Sequence, residues 1–384
     1  MLRARQKSLH NETVLKVLLV SGGSGGHLIP AMTLARSLRS GDRCLMVSTR
    51  RPIDQLIEAS AGGNGGGTLD WQAVNLQPFT PLWRWLLPGY LLQQMRAVGA
   101  VRSILRREKP DVVVGFGGYL SAVGVVAARI AGIPSVIHEQ NVLPGRANRL
   151  LARMSNAVAI SFPETKRHLS PRATVEVTGN PVRFRAGQVS GEESRSFFGL
   201  DPDRPVLLVM GGSQGSRAVN RLTLEMWEGC AEAGRREIQV LHLAGSQQAK
   251  EVEEGYSRLG MTAVVRPFAQ AMDRAFSAAT LAIARAGATG IAEMVAMGVP
   301  SILIPYPYAG AYQRANAQWM QSIGGAEVLE ETGLTPERLG RQAGALLADP
   351  DRLERMRGAL RAQADGSAAD RLAAMVRRVA AKKR

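Results

Sequence analysis

At 384 residues the chain exceeds the ~250–300 at which a single core stops growing, so two domains are expected. Its 45% apolar and 21% charged residues describe an ordinary globular protein, and no apolar run nears the ~18–20 residues that a spanning helix needs. The net charge of +16, carried by 41 Arg against 7 Lys, favours anionic partners: nucleotide phosphates, nucleic acid or an acidic membrane surface.

Met1–Thr13 is polar, and Val14–Val20 is short and interrupted by Lys16. No signal-peptide core is expected there, and a cytoplasmic, surface-bound protein is. Cys44 and Cys230 share no metal or redox spacing, so two free, reduced thiols are expected. Val17–Val20 reads as a strand running into Ser21-Gly-Gly-Ser-Gly-Gly-His27. A helix follows, with apolar positions at Ile29, Met32, Leu34, Ala35 and Leu38. Strand, glycine turn and helix signal a nucleotide-type βαβ start. The dinucleotide fingerprint fits poorly, because Leu28 stands at its third glycine. The next strand, Cys44–Thr49, ends in Arg50-Arg51 rather than a carboxylate, which leaves an NADP enzyme as an outsider. No Gly-Lys-Ser/Thr follows a glycine turn, which excludes a P-loop.

Ala61–Thr68 is a glycine-rich loop. Leu82, Trp83, Trp85 and Leu86 then lie between two prolines, with Arg84, Arg96 and Arg102 nearby. Aromatic rings beside cations suit a membrane interface, and the same spacing also suits packing into a domain core. Asp111–Gly115 is a strand, Gly117-Gly-Tyr119 a turn and Ser121–Ala131 a small-residue helix. The strand Pro134–Ile137 ends in His138-Glu-Gln-Asn141, four polar groups that read as lining a site. Val158–Ile160 and Val175–Val177 continue the alternation, and Gly179-Asn-Pro-Val-Arg183 looks like a hinge.

Val206–Met210, the turn Gly211-Gly-Ser-Gln-Gly215 and a helix from Arg217 to Trp227 repeat the opening pattern. Gln239–Leu243 and Ala263–Arg266 are further strands. Thr280–Arg285 is a buried strand that stops at a small-residue turn, Ala286-Gly-Ala-Thr-Gly290. A helix then runs to Gly298-Val-Pro300, a glycine stop followed by proline. Glu293 is placed in its first turn, where it either accepts hydrogen bonds from a sugar diol or only complements the helix dipole. The run Ser301–Ile304 ends at Pro305-Tyr-Pro307, with Gln313 and Asn316 beyond. Strand ends and a helix start thus converge on the rim where open parallel sheets bind ligands, and helix-start N–H groups suit phosphate. Asp349–Arg384 is helical with a break at Asp365-Gly-Ser367.

Two α/β halves of this kind resemble the GT-B glycosyltransferases. Gly22-Gly-Ser-Gly-Gly-His27, Gly117-Gly-Tyr119, His138-Glu-Gln-Asn141, Gly179-Asn-Pro-Val-Arg183, Gly211-Gly-Ser-Gln-Gly215 and Arg285-Ala-Gly-Ala…Glu293 follow in order over nearly the whole chain. Together they resemble the MurG family, which adds N-acetylglucosamine to lipid I to make the lipid II of peptidoglycan. The resemblance implies two Rossmann-like domains with parallel sheets facing a central cleft. The first, at 14–180, faces acceptor and membrane, and a C-terminal helix at about 367–384 packs back on it. The second, at 181–366, binds the UDP-sugar. It places Ser24, Gly25 and Gly26 near the transferred sugar and diphosphate, Asn141 on a sugar hydroxyl, and Arg183 and Ser213 on the nucleotide. Ala269 would bond uracil through its backbone. Ala288, Thr289, Gly290, Ile291, Ala292 and Glu293 would hold phosphate and ribose, Gln313 the acetamido sugar, Asn316 would belong to the same substrate-binding set, and Tyr119 to the acceptor side. The chain departs from the family at Ser24, where Thr is usual, at Ala122 for Gly, at Gly290 for Thr, and at Tyr312 for Gln or His.

The implied partners are UDP-N-acetylglucosamine, lipid I, an anionic membrane surface and other cell-wall synthesis proteins. Asp201-Pro-Asp203 and Asp349-Pro-Asp351 match the metal-binding Asp-x-Asp string, yet both sit in proline turns away from the motif strands and read as turn chemistry. No essential metal is therefore expected, with glycine turns and helix starts supplying positive potential. An inverting attack on C1 needs a base. His27, after a glycine turn at a strand end, is the first candidate and His138 the second, with Glu139 orienting a histidine or accepting behind it. The rivals are another GT-B sugar-nucleotide enzyme, such as a diacylglycerol glucosyltransferase or a UDP-N-acetylglucosamine epimerase, and, from another class, a basic nucleic-acid-binding protein. The last lacks an aromatic-basic RNA motif and leaves the glycine turns unexplained.

Overall fold

The computed structural model describes residues 14–22, 25–48, 68–73, 88–212, 214–308, 311–364 and 366–382. The chain divides into two compact units. One comprises Met1–Gln140, Pro144–Pro181 and Ser367–Arg384, the other Asn141–Leu143 and Val182–Gly366.

The first unit is built on seven parallel strands: β1 (Lys16–Val20), β2 (Arg43–Ser48), β3 (Thr68–Ala73), β4 (Val112–Gly115), β5 (Ser135–Glu139), β6 (Ala157–Ile160) and β7 (Val175–Val177). Their spatial order is β3-β2-β1-β4-β5-β6-β7. The strands are nearly continuous apolar runs because helices cover both faces. Along β1, Val17 and Leu19 join one core layer, packed with Leu28 and Leu34 of the helix Gly25–Ser37 and with Leu372 and Val376 of the helix Ala368–Ala381. Leu18 and Val20 join the other, packed with Val101 of the helix Pro88–Glu108 and Leu120 of the helix Gly118–Ile130. That alternation is the period-2 geometry of a strand. The small residues of Gly118–Ile130 permit a close approach: a Cβ on Gly124 would come within 2.8 Å of the Val20 side chain.

The second unit repeats the plan with six parallel strands: β8 (Val206–Met210), β9 (Gln239–Leu243), β10 (Ala263–Arg266), β11 (Leu281–Ala284), β12 (Ser301–Leu303) and β13 (Ala326–Val328). They are ordered β10-β9-β8-β11-β12-β13. In both units the order reverses beside the first strand, between β1 and β4 and between β8 and β11. Such a switch point opens a crevice outside the carboxyl ends of the strands.

Several local expectations change. The edge strand β3, the three-residue β13 and the helix Pro88–Glu108 were not read from the sequence. His138 and Glu139 lie inside β5 rather than beyond its end. The helix after β11 starts at Ala288, two residues before the end of the expected turn, so Glu293 sits in its second turn and no acidic residue occupies the first. A dipole-complementing role for Glu293 is therefore withdrawn, since that effect fades beyond the terminal turn. Gly298 closes this helix in the left-handed conformation at φ 67°, as its glycine stop predicts. Both Asp-x-Asp strings make turns: Asp201 Oδ1 accepts from the Asp203 N–H at 2.9 Å, and Asp349 caps the helix Pro350–Gln363 through the Arg352 N–H at 2.8 Å. The Phe79–Tyr90 stretch is described only from Pro88 onward, so Leu82, Trp83, Trp85 and Leu86 lie outside the described residues.

Candidate active site

In the first unit the turns after β1 and β4 meet beside their switch point. Gly25 and Gly26 open the helix that leaves the glycine turn, while Ser24 lies outside the described residues. His27, the third residue of that helix, lays its imidazole edge against the β4 turn. A Cβ on Gly117 would lie 3.0 Å from both Cδ2 and Nε2 of His27, and Gly117 itself has φ 94°. Glycine is thus required there twice, for its backbone angle and for ring clearance. His27 keeps part of its surface exposed. Desolvation holds its pKa below the ordinary 6.5, opposed by a hydrogen bond with the Gly22 backbone. The imidazole is therefore neutral at physiological pH and able to accept a proton. Tyr119 stands in the first turn of the helix Gly118–Ile130, half-buried.

His138, one of the two candidate bases, is fully buried. Its Nε2 is 3.0 Å from the Gly179 carbonyl, which accepts its proton and leaves Nδ1 without a hydrogen-bond partner among the described residues. Burial pushes its pKa down to about 4, with the Gly179 bond opposing and nearby His27 adding to the shift. The Glu139 carboxylate accepts from the Gly145 N–H at 3.0 Å and from Asn148 Nδ2 at 2.8 Å. It therefore anchors the loop that begins the helix Arg146–Leu151. Gln140, which the sequence did not single out as a separate site residue, donates from Nε2 to the Phe116 carbonyl at 2.8 Å. Ala122, the departure from glycine, packs against the core cluster that includes Val125, Ile137 and Leu151.

In the second unit the rim is formed by the loops after β8, β9, β11 and β12. The glycine turn after β8 lies directly on the loop after β9: a Cβ on Gly215 would come within 2.2 Å of the Ala244 carbonyl oxygen. Ser213 lies outside the described residues. Ala288, Thr289 and Gly290 form the first turn of the helix Ala288–Met297, which has no side-chain cap, and Ile291 and Ala292 continue it. The N-terminus of such a helix carries positive potential and suits an anion. At Gly290, the departure from threonine, a Cβ would meet only Met210 Cε at 3.6 Å, an ordinary contact.

Glu293 is 5% exposed. Its Oε1 lies 3.7 Å from Arg183 Nη2, too far for a hydrogen bond, and has no hydrogen-bond partner among the described residues. Burial lifts its carboxyl to about 7, with the Arg183 charge pulling the other way. Ala269 is buried in the loop after β10, next to Phe268, which is 46% exposed. Gln313 Oε1 accepts from the Tyr306 N–H at 2.9 Å, which fixes the loop after β12, and Tyr312 opens the helix Tyr312–Ser322. Asn316 is fully buried. Its Oδ1 accepts from the Val142 N–H at 3.0 Å, and its Nδ2 donates to Asn141 Oδ1 and to the Ala286 carbonyl, each at 3.1 Å. It holds Asn141 against the β11 turn. The described residues contain no cluster of His, Cys, Asp or Glu able to hold a metal ion.

Two units of reversed-order parallel sheet, each carrying glycine turns at its switch point, mark a glycosyltransferase of the GT-B architecture. The chain belongs to glycosyltransferase family 28, within its MurG group: the family's N-terminal domain matches residues 17–160 and its C-terminal domain residues 206–372. It is 39% identical over 339 residues to the UDP-N-acetylglucosamine--N-acetylmuramyl-(pentapeptide) pyrophosphoryl-undecaprenol N-acetylglucosamine transferase of Syntrophotalea carbinolica, covering 85% of this chain and 88% of that protein. It is 36% identical over 384 residues to the transferase of the same name from Acidothermus cellulolyticus, covering 96% and 99%. The crystal structure of Acinetobacter baumannii MurG superposes with a TM-score of 0.72 at 25% identity, covering 95% of this chain and 99% of that one.

Proposed function

We infer that the protein is an N-acetylglucosaminyltransferase that moves N-acetylglucosamine from UDP-N-acetylglucosamine to lipid I, the undecaprenyl-linked muramoyl-pentapeptide, to form lipid II. The carrying observation is the Glu293 carboxylate, buried behind an uncapped helix start at the second switch point, with one oxygen lacking a hydrogen-bond donor. A buried acceptor of that kind is costly unless a ligand supplies the donor. A ribose diol supplies two, and the adjacent helix start takes the diphosphate.

The reaction inverts C1. The muramoyl 4-hydroxyl attacks C1 of the sugar, the bond from C1 to the diphosphate oxygen breaks, and UDP leaves with the electron pair. His27 takes the hydroxyl proton: it is neutral, partly exposed and follows the glycine turn. His138 and Glu139, both enclosed and engaged, support the loops that frame it. Helix-start N–H groups stabilise the leaving diphosphate, and the reaction is metal-independent, since both Asp-x-Asp strings are spent on turns. The enzyme docks reversibly on the anionic cytoplasmic face of the membrane, where its lipid acceptor is held and where its +16 charge meets acidic head groups.

Mass spectrometry of product formed from UDP-N-acetylglucosamine and a lipid I analogue tests this. The added N-acetylglucosamine should appear on the acceptor with inversion, and should persist in excess EDTA after desalting. Epimerised donor with no transfer to the acceptor would defeat the assignment, and activity lost to EDTA but restored by magnesium would defeat its metal-free form. Binding of RNA in place of the UDP-sugar would favour the nucleic-acid alternative.

A further inference from the structure

Arg285 belongs to one of the sequence motifs, yet its guanidinium is committed within the protein. It directly follows β11 and is 8% exposed. Its Nε and Nη2 donate to Ser216 Oγ at 3.1 and 2.8 Å, and its Nη1 donates to the Ile304 carbonyl at 3.1 Å. The same guanidinium is ion-paired with Glu331 and lies 5.3 Å from the centroid of the Tyr306 ring. These partners come from separate loops. Ser216 closes the glycine turn after β8 and caps the helix Arg217–Glu228 through the Val219 N–H. Ile304 and Tyr306 follow β12, and Glu331 follows β13.

We propose that Arg285 is a positioning residue for the sugar nucleotide, bracing the glycine turn after β8 and the loop after β12 at a fixed spacing without touching the ligand. Its fork geometry allows this: a guanidinium offers five donors in one plane, and a lysine ammonium could not span the same partners. The glycine turn depends on such a brace. It lies backbone to backbone on the loop after β9, and Ser216, at its exit, is held by two donors of the guanidinium. Tyr306, on the other side, donates its backbone N–H to Gln313 Oε1, so the Arg285–Tyr306 contact also sets the height of Gln313 on the rim. An arginine at a strand end in a UDP-sugar enzyme invites assignment to the diphosphate. Here the donors aimed at Ser216 and Ile304 are already used.

The inference rests on the UDP-sugar function, and the experiment separates the two. UDP affinity by calorimetry, KM and kcat for UDP-N-acetylglucosamine, and Tm are measured for the wild type, Arg285→Lys, Ser216→Ala and the double variant. A wild type that fails to bind UDP would remove the functional reading. With binding present, Ser216→Ala should weaken UDP and raise the donor KM by roughly five- to tenfold, the scale of one lost charged hydrogen bond. Arg285→Lys should be at least as severe, because it also releases the loop after β12, and kcat should change less than twofold. The double variant should be no worse than Arg285→Lys alone, because Ser216 acts through the same guanidinium. An effect of Arg285→Lys with Ser216→Ala at wild-type affinity would show direct ligand contact and overturn the proposal. So would effects that multiply, or a fall in Tm with UDP affinity unchanged.

Discussion

Glu293 carries a conflict between stability and binding that can be measured. Its carboxyl titrates near 7 in the folded protein instead of 4.5, chiefly through burial. Between those values the folded state holds a proton that the unfolded chain has released. The stability this proton provides is complete below pH 4.5 and is lost as the pH rises through about 7. At pH 8 the ionised group therefore costs at most about 3 kcal/mol. Glu293→Gln should raise Tm at pH 8 and leave it unchanged at pH 4. The same variant should raise the donor KM about tenfold, since a carboxylate-diol bond contributes ~1.5–3 kcal/mol. Wild-type affinity for UDP should fall from pH 8 to pH 6 more steeply than that of the variant, because only the ionised carboxylate accepts both hydroxyls. Unchanged donor kinetics in Glu293→Gln would remove Glu293 from the site.

At the scale of elements, the helix Pro88–Glu108 is the described continuation of the aromatic, arginine-flanked stretch before it. It buries Ala97, Val101, Ile104 and Leu105 and turns Leu92 and Met95 outward, 48% and 71% exposed, with Arg96 beside them. Apolar tips next to a cation suit the membrane interface. Leu92→Ser with Met95→Ser should keep the wild-type Tm, because neither side chain is in the core, and should reduce co-sedimentation with anionic vesicles, with the wild-type binding weakened by salt. A lowered Tm with vesicle binding intact would assign the face to packing. This helix escaped the sequence because its apolar face is narrow and arginine-rich. The strand Thr68–Ala73 escaped because it lies at the sheet edge behind a glycine-rich run, and Ala326–Val328 because three residues carry no period. Strands bounded by glycine turns were legible, since an apolar run and its stop are both local signals. The site was legible to the same depth. Strand ends pointed to His27, Asn141 and Glu293, whereas the bonds that decide what each can do join residues as distant as Ser216 and Arg285 and leave no pattern in the chain.

The whole molecule has one further property, set by connectivity. The second unit is almost entirely the continuous segment Val182–Gly366, while the first is completed by Ser367–Arg384. The returning helix is not a surface ornament. Leu372, Met375 and Val376 lie in the same core layer as Leu28 and Leu34, and Arg371 donates two hydrogen bonds to the Thr178 carbonyl, at 3.1 and 2.7 Å. A fragment of residues 182–366 should therefore fold alone, with a cooperative thermal transition. Residues 1–181 should bind a hydrophobic dye and aggregate until a peptide of residues 367–384 is added. Cooperative melting of 1–181 without the peptide would show the helix to be dispensable. For a chain made from its N-terminus forward, the unit begun first is then the one finished last. Its apolar face stays uncovered on the ribosome throughout synthesis of the inserted unit, so nascent chains, rather than mature enzyme, are where chaperone demand and loss to proteolysis should concentrate.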